Sequence, residues 1–300
     1  MIKAVKLTKR FDDMTALDAL TTQINAGSIY GLVGSNGAGK STFLRLIAGV
    51  YRPDGGTVEF NGQEVFENEK VKSNIFFLAD ELYFPPAATI NSLAQFYKEL
   101  YPNWSDETFK MLCGLFPLDA NKKLEKFSKG MRRQAALIIA LSCRPQLMLL
   151  DEAFDGLDPV IRTLLRKLLA DDVAQRGSTI IIASHNLREL EDFCDQVGVL
   201  HKGRILFQKD IDELHLGFCK VQCAFKPAIT DKSVFGALQL LKCEIQGSVV
   251  NLVARGSGEA VAAELEKLNP LFVESVPLTL EEVFIHEMEA VGYDHSTIIF

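Results

Sequence analysis

The stretch SIYGLVGSNGAGKSTFLRLIA, Ser28 to Ala48, decides the fold. Its opening, Ser28 to Val33, is a mostly apolar run of strand length. The run passes straight into Gly34, Ser35, Asn36, Gly37, Ala38, Gly39, Lys40 and Ser41, followed by Thr42. These residues fill every fixed position of the pattern G-x-x-x-x-G-K-[ST], and Ser41 to Ala48 continue with helical spacing. Strand, glycine loop and helix in that order separate a phosphate-holding loop from a chance match. The glycines let backbone N–H groups close around phosphate oxygens, and the following helix presents its positive end. Lys40 is suited to the β- and γ-phosphates and the Ser41 hydroxyl to Mg²⁺.

Outward from this stretch, Ile2 to Leu7 and Ala19 to Asn25 read as strands. Downstream come a turn at Pro53 to Gly56, the strand TVEFNG and the strand SNIFFLA. From Pro85 to Arg144 the pattern is helical, with Ser105 as an N-cap and Asp106 and Glu107 in the first turn, where the helix dipole favours acids. Strands and helices then alternate: LMLLD, a helix over Pro159 to Arg176, STIIIAS, a helix over Asn186 to Cys194, and QVGVLHKG. Continuous apolar strands alternating with helices predict a mainly parallel sheet covered on both faces. A helical insertion over about 82–144 interrupts it. After residue 215 the composition changes. VQCAF, VVNLVA and LFVESV read as strands and SGEAVAAELEKLN as a capped helix. Thr279 to Glu282 form a capping box opening a last helix, with Leu280, Val283 and Phe284 inward. The expected domains are therefore 1–215 and a small α+β appendage over 216–300.

Composition narrows the class. Three hundred residues, 48% hydrophobic and 24% charged, describe an ordinary globular chain. The net charge of -7 opposes a nucleic-acid surface, which needs clustered cations. Lys122-Lys123 and Arg132-Arg133 read as solvated helix faces. The longest apolar run, AALIIALSC, is too short to span a membrane. With no signal peptide in view, a soluble chain is expected. The six cysteines form no C-x-x-C pair and read as reduced core thiols.

The run LMLLDE ends in Asp151 and Glu152. A carboxylate closing a buried strand emerges at the sheet edge where ligands bind, so Asp151 is a candidate for Mg²⁺ and Glu152 for the base that polarises water. Upstream of it stands FSKGM, Phe127 to Met131. This phrase, with the phosphate loop before it and the acids after it, resembles the LSGGQ signature of ATP-binding cassette proteins. Phe127, Lys129 and Met131 depart from that pattern, while Ser128 and Gly130 keep it.

The resemblance covers about residues 1–210 and implies a P-loop NTPase fold, a mainly parallel α/β sheet joined by an antiparallel β part. It implies ATP and Mg²⁺ as cofactors and ATP hydrolysis as the reaction. Phe11 matches the aromatic on which adenine stacks. Asp155-Gly156-Leu157-Asp158 matches the D-loop, and His185 matches the switch histidine. Asp80 falls where the family usually has a metal-bridging glutamine, and a carboxylate there is also suited to a hard cation. Ser128, Lys129, Gly130 and Met131 would cap ATP held by a second cassette, head to tail, as a homo- or heterodimer. A separate transmembrane permease is the implied partner, docking near the aromatics of Leu82 to Trp104. That would place the chain on the cytoplasmic face of the cell membrane. TLEEVFIHEM, from Thr279, resembles the closing helix of export-type cassettes. The alternative is a non-transport cassette acting on ribosome or DNA, disfavoured by the single cassette and the acidic balance.

Overall fold

A computed structural model describes residues 1–191, 194–276, 278–279, 281–283 and 285. It separates into two compact units, residues 1–208 and a second unit beginning at Lys209.

In the first unit, β1 (Ile2–Phe11) and β2 (Met14–Ile24) pair antiparallel. β3 (Ile29–Val33) leads through the glycine loop into α1 (Lys40–Ile47). β4 (Gly55–Phe60) and β5 (Gln63–Glu64) join the hairpin in a four-stranded antiparallel sheet of order β2-β1-β4-β5. The single turn α2 (Glu69–Lys72) precedes β6 (Ile75–Leu78). The insertion holds α3 (Ile90–Leu100), α4 (Asp106–Leu115) and α5 (Lys129–Ser142). Then follow β7 (Leu147–Asp151), α6 (Pro159–Arg176), β8 (Thr179–Ser184), α7 (Leu187–Glu191), β9 (Gln196–His201) and β10 (Arg204–Asp210).

The six-stranded sheet runs β10-β9-β3-β8-β7-β6, and its β9-β3-β8-β7-β6 pairs are parallel. Every residue of β3, β7 and β8 is buried, as continuous apolar strands require when both faces are covered. α1 lays Phe43, Leu44, Leu46 and Ile47 into the core with Leu32, Leu149 and Ile181. Burying each such side chain contributes about 2 kcal/mol. This packing fixes where the glycine loop can lie.

The expected Ser105 cap forms, and the helix expected over Pro159 to Arg176 carries start and stop signals of its own. Ser105 Oγ accepts from Thr108 N at 3.0 Å, with Asp106 and Glu107 in the first turn of α4. α6 begins on Asp158, whose Oδ1 accepts from Val160 N and Ile161 N, with Pro159 at its first position. It stops at Gly177, φ +64°, a left-handed C-cap that costs glycine little. β1 runs four residues beyond the expected Leu7, carried by register shifts that let its end bend.

The second unit contains α8 (Ile211–Gly217), β11 (Phe218–Ala224), β12 (Leu240–Gln246), β13 (Val249–Arg255), α9 (Gly258–Glu266) and β14 (Phe272–Val276). Its strands form an antiparallel sheet of order β12-β13-β11-β14. Cys219, Val221, Cys223, Val250, Leu252, Val261 and Leu265 share its core. The capping box forms: Glu282 N donates to Thr279 Oγ1 at 3.2 Å and Thr279 N to Glu282 Oε2 at 3.1 Å. Val283 is buried, while Leu280 and Phe284 lie outside the described residues, as do residues 192 and 193 of the expected helix to Cys194.

The expected solvated helix faces do not form: Lys122 and Lys123 are exposed but lie in a bend ahead of the short 3-10 turn Leu124–Lys126, not on a helix. Arg133 is not on a solvated face. It is 1% exposed. α5 buries every residue from Arg133 to Ser142, so beyond its first turn the helix is enclosed on all sides. Arg132 differs: it keeps partial exposure while donating to the carbonyls of Leu124 and Glu125.

Candidate active site

The glycine loop leaves β3 at Gly34, where a Cβ would fall 2.4 Å from the Leu200 carbonyl oxygen. Only glycine lets the chain pass there. Gly39, φ +109°, precedes α1 and lies against Ala16 O of β2, so the hairpin carrying Phe11 packs on the loop. Asn36 and Gly37 are exposed, Ser35, Ser41 and Thr42 are half-buried, and Ala38 is buried. Lys40, 6% exposed, donates from Nζ to Gly34 O at 2.6 Å. The same ammonium lies 3.5 Å from Glu152 Oε1.

Glu152 therefore meets two partners. Its Oε2 is 2.9 Å from His185 Nδ1, across from Lys40 on Oε1. The residue has φ +50°, a conformation uncommon outside glycine and worth attention where it occurs beside charged groups. The segment carrying His185 is braced from behind. Ser184 Oγ accepts from Asn186 N at 3.0 Å and donates to Glu189 Oε2 at 3.3 Å. Glu189 pairs with Arg162 of α6 at 3.2 Å. Burial pushes the Glu189 carboxyl above the usual range, opposed by that guanidinium.

Asp151, at the end of β7, is 1% exposed, and neither carboxylate oxygen has a hydrogen-bond partner. Burial raises its pKa, the nearby Ser41 hydroxyl acts to lower it, and the charges of Glu152 and Asp80 add to the rise. Asp80 lies just past β6, half-exposed, with Oδ1 on Arg133 Nη2 at 2.9 Å. Arg133 also donates to the backbone carbonyls of Asp80 and Glu152.

The structure brings together Lys40, Glu152, His185, Asp151 and Ser41, and sets Asp80 beside them through Arg133. Phe11 stands at the end of β1, its ring 5.3 Å from that of Tyr51 with Lys9 Nζ 5.4 Å from its centroid. Ser128, Lys129, Gly130 and Met131 open α5 instead. Ser128 Oγ caps the helix by accepting from Met131 N at 3.2 Å. A Cβ on Gly130 would fall 2.4 Å from Gly156 O, so the turn at Ser128–Met131 rests directly on the Asp155–Asp158 loop. Among the described hydrogen bonds none joins Ser128–Met131 to the glycine loop. Sequence reading missed Arg133 and the Arg162–Glu189 brace. The signal for the first was present: an arginine at the head of an otherwise buried helix needs anionic or carbonyl partners.

A phosphate loop at the end of a central parallel strand, with an acid-terminated strand two places away, makes the chain a P-loop NTPase. Comparison with known proteins refines that class. The ABC transporter family model matches residues 17–155. The ABC transporter ATP-binding protein YtrB of Bacillus subtilis is 33% identical over 286 residues, 95% of this chain and 97% of that protein. The bacitracin transport ATP-binding protein BcrA of Bacillus licheniformis is 34% identical over 219 residues, 71% of each. A solved ATP-binding subunit of an ABC transporter superposes with TM-score 0.66 and 25% identity over 72% of this chain and 92% of that one. A dimeric cassette bound to ADP and Pi after hydrolysis shares the fold, with TM-score 0.63 at 22% identity over 70% of this chain and 99% of that one. The chain belongs to the ABC transporter family and is its ATP-binding, ATP-hydrolysing subunit. The YtrB match is long enough to include both units, whereas the BcrA match is not.

Proposed function

We propose that this subunit drives a separate membrane permease in export, hydrolysing ATP held between two cassettes arranged head to tail. The observation that carries the reading is Asp151 with Lys40, Glu152 and His185. A buried carboxylate with both oxygens unpartnered beside the Ser41 hydroxyl fits a hard divalent cation, which binds oxygen ligands. Ser41 and Asp151 would hold Mg²⁺, whose chemistry is to neutralise charge on the phosphate oxygens. Lys40 would bind the β- and γ-phosphates, and Gly34–Gly39 would cradle them with backbone N–H groups. Phe11 offers a ring for the adenine. Glu152 takes the proton of the attacking water, and His185 orients the Glu152 carboxylate and reaches the γ-phosphate.

Ser128 and Gly130 serve the opposite cassette's nucleotide, alongside the Asp155–Asp158 loop. Export is supported by the bacitracin transport relative and by a lantibiotic transport ATP-binding protein of Streptococcus pyogenes, 31% identical over 215 residues. No helix among the described residues is long and apolar enough to cross a membrane. Tyr83 and Phe96, 85% and 59% exposed, mark the permease-facing surface, while Tyr97 and Tyr101 pack with Phe76.

The test mixes two inactive chains. Lys40→Ala and Ser128→Arg variants should complement in part, because one site of the mixed dimer carries neither lesion. The rate per molecule should fall on dilution. A mixture as inactive as its components, or a rate independent of concentration, rejects the shared-site dimer.

A further inference from the structure

Arg133 is a charged side chain with no access to water, enclosed at the head of α5. Its guanidinium spans the ends of two strands. Nη2 donates to Asp80 O at 2.8 Å and to Asp80 Oδ1 at 2.9 Å, beyond β6, and Nη1 donates to the Glu152 carbonyl, beyond β7. Stability is a weak reason for such a group. Enclosing a guanidinium is expensive, and apolar replacements of buried ion pairs are often neutral or stabilising.

What the arginine grips is more informative. Glu152 has a left-handed backbone, which a residue with a Cβ holds only where its surroundings over-determine it. Its N–H donates to Ala183 O at 2.9 Å, and its carbonyl is the group that Arg133 takes. With both ends of the residue pinned, the carboxylate is delivered to His185 Nδ1 and to the side of Lys40. Asp80 supplies the counter-charge that keeps the guanidinium in this pose.

We propose that Arg133 is a positioning residue for hydrolysis. It locks the backbone of Glu152 so that the base stays aimed, and Asp80 fixes the arginine rather than holding metal. The inference rests on the reading of Glu152 as the base. It also joins two surfaces of the cycle. Arg133 lies on the helix that Ser128 opens, so a shift of the start of α5 is passed to Glu152 by one hydrogen-bonded side chain.

Arg133→Met removes every donor at nearly constant volume, and Asp80, being half-exposed, is left solvated. In the full chain kcat should fall about 10- to 100-fold, the cost of a base misplaced by roughly an ångström. KM for ATP should stay within about twofold, and the thermal midpoint should drop only by the few degrees that two carbonyls left without a donor cost. Arg133→Lys, which can reach one carbonyl, should recover part of kcat. Asp80→Asn should leave the Mg²⁺ concentration for half-maximal rate unchanged. Wild-type kcat in Arg133→Met overturns the proposal. So does a joint fall of kcat, affinity and thermal midpoint that Arg133→Lys does not relieve, which would make the residue a core brace. A raised Mg²⁺ requirement in Asp80→Asn returns that residue to the metal and overturns its part. The base assignment is probed apart from all of these by Glu152→Gln: normal hydrolysis there removes the reading beneath the proposal, whereas an inactive Glu152→Gln beside a normal Arg133→Met removes the proposal alone.

Discussion

In the first unit a strand end leaves the Asp151 carboxylate enclosed with neither oxygen hydrogen-bonded, and a buried guanidinium holds the next residue in a left-handed turn. In the second unit, among the described residues, no buried side-chain polar atom is left without a partner. There the buried thiols of Cys219 and Cys223 donate weakly to the carbonyls of Ala254 and Val250 at 3.7 Å. Burial pushes the Cys223 thiol up to about 11, so it stays protonated and inert as a small apolar group. Both units bury apolar faces of a sheet. They differ in what the strand ends carry. Parallel strands deliver all their C-terminal ends to one edge, where ligands bind in such sheets and where Asp151 stands. The antiparallel sheet of the second unit alternates its strand ends, and among its described residues the buried side-chain polar atoms all have partners.

The sharpest way to break that contrast is at Glu152. Glu152→Gln should lower ATP hydrolysis by about two to four orders of magnitude with ATP binding intact. Measured turnover near the wild-type rate would leave the first unit with strain and no base. The next test lies in the second unit. Leu252, fully buried, should cost about 3 kcal/mol when cut to alanine, seen as an earlier denaturation step of that unit. ATP turnover of the chain should stay within about twofold. A large loss of turnover at unchanged stability would give the second unit a part in the chemistry.

The smallest effect is a gain. Asp151→Asn removes an enclosed charge and should stabilise the metal-free chain by about 1 kcal/mol, at the expense of activity. The sign of its pH dependence follows from burial. A carboxyl whose folded pKa is raised favours the folded state fully below the unfolded carboxylate value, and that contribution is lost as pH climbs through the folded value. The advantage of the variant over wild type should therefore widen as pH rises from the acid side, and a gap that narrows would contradict it.

The parts legible in the sequence were those set by local rules. The glycine loop, the acid-terminated apolar strand, the Ser105 cap and the helix over Pro159 to Arg176 each depend on a few adjacent residues, and the fold follows from their alternation. Arg133 was harder to read for the opposite reason: the string signals that it needs partners but not which they are. Two adjacent arginines look alike in a string, but neighbours on a helix point about 100° apart, so one meets solvent while the other is enclosed. Its partners Asp80 and Glu152 are 53 and 19 residues away, beyond any local pattern. The pairing order of the second unit's strands was equally hidden, since β11 sits between β13 and β14 rather than beside its next strand along the chain.

The contact between Gly130 and the Gly156 carbonyl bears on how such a chain can drift through evolution. Of the five letters Phe127 to Met131, three have moved away from the pattern LSGGQ. The two that stand are those whose replacement the backbone itself resists: the hydroxyl that caps α5, and the hydrogen-only position pressed against another peptide unit. A lineage can therefore rewrite the spelling of this motif while its grammar is held by a single methyl group's worth of space.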